Sequence, residues 1–98
     1  MKHLENSKIL ITLSKKIGAN EMKNLSNLIF KGTGEGKKEN PFSVYVYLND
    51  IPEGVEFNEL DIFINEFYSS FKHGKYVECE NTISRGKLEK RFVWHFWD

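Results

Sequence analysis

The chain has a single cysteine, Cys79, among its 98 residues. That excludes an internal disulfide framework and makes a reducing cytoplasm the expected compartment. Long apolar runs are missing as well, so neither a secretory signal nor a membrane span is expected. Net charge is also absent, with 14 basic and 14 acidic residues, which removes the general attraction to nucleic acid of a basic domain. Alanine and proline are scarce, whereas Lys, Asn, Ile and Phe are used heavily. This is the usage of an AT-rich coding sequence, such as that of a low-GC bacterium, a phage or another mobile element. His3, His73 and His95 stand in no i, i+4 or close spacing with Cys79 or with carboxylates. No metal site and no cofactor are therefore expected.

The charge that is present is unevenly spread. Residues 1–42 hold eight lysines against four glutamates, and residues 43–98 hold six basic against ten acidic side chains. Between Glu39 and Phe71 there is no Lys or Arg at all, while Asp50, Glu53, Glu56, Glu59, Asp61 and Glu66 follow one another. Some of these favour a helix N-terminus, where the backbone dipole welcomes negative charge. Together they also form an acidic surface suited to a partner with a basic one, such as a nucleic-acid enzyme.

Hydrophobic spacing gives the elements. Ser7 to Leu13 alternates Ile9, Ile11 and Leu13 and reads as a strand, although Ile9, Leu10, Leu13 and Ile17 would also line one side of a helix. Asn20 is an N-cap candidate for a helix through Lys31 with Met22, Leu25, Leu28 and Ile29 inward. Residues 32–41, rich in Gly and Lys, read as a flexible loop. Its glycines and Lys37 and Lys38 lack the spacing of a phosphate-binding loop. Phe42 to Asn49 is a strand with Val44, Val46 and Leu48 on the core side and Tyr45 and Tyr47 opposite. Asn58 to Lys72 reads as a helix, capped by Asn58 and stapled by Phe57 and Ile62, with Leu60, Phe63, Ile64, Phe67 and Phe71 in one arc.

Residues 75–97 read as a hairpin turning at Arg85-Gly86. That register sets Ile83 opposite Leu88, Cys79 opposite Phe92 and Val77 opposite Trp94 on the core face, and Glu80 opposite Arg91 and Tyr76 opposite His95 on the other. Cys79 is expected to be a buried small side chain, separated from His95 by the sheet, so no Cys-His dyad forms.

The expectation is one α+β domain over residues 1–98, an antiparallel sheet of three or four strands packed against two helices. Its order is β-α-β-α-β-β, with α-α-β-α-β-β as the alternative. The expected function is non-catalytic protein binding in the style of an inhibitor, an immunity protein or a phage anti-defence protein. Binding would use the acidic residues Asp50, Glu53, Glu56, Glu59, Asp61 and Glu66 and an aromatic sheet face of Tyr45, Tyr47, Tyr76, His95 and Trp97. That second face could instead be covered by another copy in a homodimer. The alternative is a helix-turn-helix regulator built on residues 13–29, with Lys15, Lys16, Lys23, Lys37 and Lys38 on phosphates.

Overall fold

Ser7 starts the first helix, its hydroxyl accepting from the Leu10 N–H at 3.2 Å. The computed structural model describes residues 7–84 and 86–98. His3, and Arg85 at the expected hairpin turn, lie outside the described residues. α1 (Lys8–Phe30) takes the place of the strand expected over residues 7–13. The helical stripe outweighs the alternation: Leu13 is fully buried, and Ile9, Leu10 and Ile17 pack against the core. Gly18 interrupts α1 with φ 82° and ψ 170°, a conformation open essentially to glycine alone. The helix resumes at once, so Asn20 lies inside it and not at a cap. Beyond the break Met22, Leu25 and Ile29 are buried.

α2 (Phe57–Phe67) begins one residue before the expected start and ends five before the expected stop. Its N-cap is Glu56 in a capping box with Glu59, whose carboxylate accepts from the Glu56 N–H at 3.0 Å. Phe57 is thus the first helical residue and not a staple. Its ring packs on Tyr76, Phe92 and Trp94 at 4.9, 5.3 and 5.9 Å between centroids. Val55, at the N′ position, packs against the core instead. Leu60, Phe63, Ile64 and Phe67 form the buried arc as the spacing predicts. Phe71 leaves the helical path and stacks on Phe42 and Phe96.

The sheet is antiparallel with strands β1 (Gly32–Thr33), β2 (Phe42–Tyr47), β3 (His73–Ser84) and β4 (Lys87–Trp97) in the order β1-β2-β4-β3. The 32–41 segment, expected to be a plain connection, supplies β1 and a small internal turn in which Lys37 and Asn40 exchange backbone hydrogen bonds at 3.2 and 3.0 Å. The architecture is the expected α+β domain with two helices on a four-stranded sheet. Its order is α-β-β-α-β-β: where the alternative has two leading helices there is the one α1, broken at Gly18, and β1 is added. Among the described residues the core lies on one side of the sheet, where Val44, Val46, Trp94 and Phe96 join the buried residues of α1 and α2. Burial of each such side chain contributes about 1.5–3 kcal/mol.

The hairpin register matches expectation from Ile83 and Leu88 to Glu78 and Val93, then slips at a bulge between Tyr76 and Glu78. Tyr76 consequently stands opposite Trp94, not His95, and turns to the core face under Phe57. The bulge absorbs two adjacent apolar residues, Tyr76 and Val77, in a strand that otherwise alternates. Cys79 does stand opposite Phe92, but it is exposed and not buried. β2 pairs with β4 only from Arg91 onward, so Asn81–Ser84 and Lys87–Lys90 pair with each other alone, as a ribbon that leaves the main sheet.

Candidate binding surface

Alternation along the strands places Ser43, Tyr45 and Tyr47 of β2 on the face away from the helices. Arg91, Val93, His95 and Trp97 of β4 and His73, Lys75, Glu78 and Glu80 of β3 share it. Among the described residues no helix or strand packs over this face. The described part of the molecule is only 19 Å in its thinnest direction, the depth of one sheet and one helical layer. Val93 is nonetheless 95% shielded by its neighbours in the sheet, being 5% exposed, and it lies outside the core cluster. The face is therefore an open surface on which Tyr45, Tyr47, Val93, His95 and Trp97 are interspersed with the charged side chains Arg91, Glu78 and Glu80.

Its side chains are held in place. Arg91 donates through Nε to Glu80 Oε1 at 2.8 Å and lies 4.3 Å above the Tyr45 ring. Burial opposes the Arg91 charge, but the hydrogen bond to Glu80 and the charge of that carboxylate outweigh it and raise the guanidinium above its ordinary value. At the other end His73 stacks on Trp97 with centroids 5.3 Å apart and planes 23° apart. Sequence spacing alone did not pair these two, because their opposition depends on the bulge. Beside Tyr45 and Tyr47 the surface dips into an open cleft of about 450 Å³ where Asp50, Lys31 and Arg91 also converge.

The structure thus brings together Tyr45, Tyr47, His95 and Trp97 of the expected aromatic set, with Asp50 at one rim, and sends Tyr76 to the core. The acidic set is dispersed among other tasks. Glu56 and Glu59 cap α2, and Glu59 also receives Lys16 Nζ at 2.8 Å. These hydrogen bonds, first from Lys16 and then from the Glu56 backbone, hold the Glu59 carboxyl below its ordinary value. Asp61 accepts from the Trp94 indole at 2.7 Å and from Asn65 at 3.0 Å. Glu66 accepts from the Ser7 hydroxyl. Only Asp50 and Glu53 are exposed without such a partner among the described residues.

The lysines are equally divided. Lys16 is tied to Glu59, while Lys15, Lys23, Lys37 and Lys38 are exposed on three separate stretches. The break at Gly18 is a single residue, whereas a helix-turn-helix joins its helices through three or four. No three His, Cys, Asp or Glu side chains gather as a metal site among the described residues, and no described helix is long and apolar enough to cross a membrane. Comparison of the chain with protein-family models, curated proteins and solved structures gives no match.

Proposed function

We propose that this protein is a small non-catalytic binding module, of the inhibitor or immunity type, that grips another protein with the open face of its sheet. The observation that carries this reading is the uncovered aromatic surface of Tyr45, Tyr47, His95 and Trp97. Such rings are rigid, amphipathic anchors with few torsions to immobilise on binding. Strands fix their spacing, and the Arg91–Glu80 pair stiffens the centre. Asp50 and Glu53 supply the acidic contacts, so a partner with a basic patch fits best. Phage anti-defence proteins and inhibitors of nucleic-acid enzymes are the kind of molecule this describes.

Affinity capture from the native host tests the reading with two variants. Tyr45→Ala with Trp97→Ala is expected to lose the captured partner while keeping the circular dichroism of the parent. Asp50→Lys with Glu53→Lys is expected to weaken capture with a marked salt dependence. Retention of the same partner by the aromatic variant would overturn the assignment. A low-salt mobility-shift assay separates it from nucleic-acid binding, for which no retardation of duplex or single strand is expected.

A further inference from the structure

The strand order leaves β3 with one edge unpaired among the described residues, and at 12 residues this edge strand is twice the length of β2. A long open edge offers a row of backbone donors and acceptors to any other strand, and proteins usually blunt it with Lys, Pro or a bulge. The first half of β3 has such protection in Lys75 and the bulge at Tyr76–Glu78. The second half, E-C-E-N-T-I-S over residues 78–84, contains no Lys, Arg or Pro; its only charges are Glu78 and Glu80, and Glu80 is already paired with Arg91 of β4.

The hairpin fixes which backbone groups face outward. Ser84 and Lys87 stand directly opposite each other at the end of the ladder with only two positions of chain between them, the spacing of a hydrogen-bonded pair. Alternation then aims the amides and carbonyls of Thr82, Glu80 and Glu78 at β4. Those of Ile83, Asn81 and Cys79 point away from the sheet.

We propose that two copies of this chain join edge to edge through β3, antiparallel about a two-fold axis at Asn81, into one continuous eight-stranded sheet. Charge and strand length together select this register: an axis at Thr82 or Ile83 opposes no carboxylates but runs Cys79 past the end of the partner's strand at Ser84. An axis at Glu80 sets that carboxylate against its own copy, and an axis at Cys79 sets Glu78 against Glu80 twice; both are destabilising. With the axis at Asn81, Glu80 stands opposite Thr82, Glu78 opposite Ser84, and Cys79 opposite the partner's Ile83. All three outward-facing positions are then paired, giving about six backbone hydrogen bonds.

The same register accounts for the most exposed apolar side chains. Ile83 and Leu88 are 78% and 72% exposed, although they stand opposite each other on the core side of the hairpin. In the joined sheet Ile83 lies between Leu88 of its own chain and the partner's Cys79, which in turn borders the partner's Phe92. An isolated pair becomes part of a continuous row. The joint uses an edge and leaves the aromatic face open, so it stands or falls independently of partner binding through that face.

Sedimentation velocity from micromolar to near-millimolar protein should show a species of twice the monomer mass that grows with concentration. Asn81→Pro removes an outward N–H and none bonded to β4, so it should stay monomeric with unchanged circular dichroism. Ile83→Lys places a charge on the edge and should do the same, which keeps the test intact should the proline variant misfold. Mild oxidation of the Ile83→Cys variant should link Cys79 to the cysteine introduced in the other copy, since directly opposed residues lie within disulfide reach. A wild-type protein that stays monomeric at the highest concentration, a dimer that persists in the folded edge variants, or ready Cys79–Cys79 cross-linking would overturn the proposal.

Discussion

Trp94 is fully buried, and its indole N–H donates to Asp61 on the facing helix at 2.7 Å. Asp61→Ala leaves that donor unpaired and should cost about 1–3 kcal/mol, read from urea unfolding, whereas Asp61→Asn keeps an acceptor oxygen and should cost less. Glu59 makes a pH-dependent contribution. Its folded value is depressed by Lys16 and the Glu56 N–H, so its stabilisation is present above the ordinary 4.5 and is lost as pH falls through the folded value. Unfolding midpoints should drop in that range, and the Glu59→Gln variant should show a shallower decline. Tyr68 acts at the alkaline end: burial pushes its phenol up to about 12 while the hydroxyl donates to the Ile29 carbonyl near the end of α1. The neutral phenol is the favoured folded form, so its stabilisation holds below the ordinary 10.0 and is lost as pH rises through about 12. Tyr68→Phe should cost about 1 kcal/mol at neutral pH by the same unfolding measurement. The acidic run itself was legible in the sequence. Its duties were not, because Ser7, Lys16 and Trp94 reach their carboxylates across 59, 43 and 33 positions of chain, which no local spacing encodes.

Among the elements, α2 was the most legible, since its apolar arc is unmistakable and only its ends differ. The N-terminal segment, whose alternation predicts a strand, folds as helix for a physical reason. Ile9, Leu10, Leu13 and Ile17 satisfy a helical stripe while Ile9, Ile11 and Leu13 satisfy a strand, and the choice is made by what each face finds to pack against. In the folded protein Leu13 is buried and Ile11 is half exposed, which decides for helix. The Gly18 break tests this further. In an ordinary helix interior Gly→Ala stabilises by about 1 kcal/mol. Here Gly18→Ala should instead destabilise by about 1–3 kcal/mol, because its backbone is held at φ 82° while nothing lies close enough to hinder a methyl group. Denaturant titration of the variant checks the sign.

At the scale of the molecule, two ties run between the first half of α1 and α2. Ser7 meets Glu66 near the end of α2, and Lys16 meets Glu59 near its start, so the two helices lie antiparallel and the basic and acidic halves of the chain are drawn together. Opposite them the sheet continues past the helices into the unsupported ribbon of β3 and β4. Amide exchange should divide accordingly, with Val44–Val46 and Val93–Phe96 slow and Lys87–Lys90 fast at concentrations where the chain is monomeric. The two-layer architecture was readable from the alternating strands and the amphipathic helices, but the openness of the second face was not, since covering it depends on where distant segments fold. The placement of the two tryptophans on opposite sides of β4 makes that question optically accessible. Trp94, sealed between sheet and helices, should emit as a dry indole that responds to unfolding alone. Trp97, half exposed against His73, should be open to acrylamide and should change its emission when anything settles on the aromatic face. Three positions apart on one strand, they give the protein separate built-in optical signals for integrity and for occupancy.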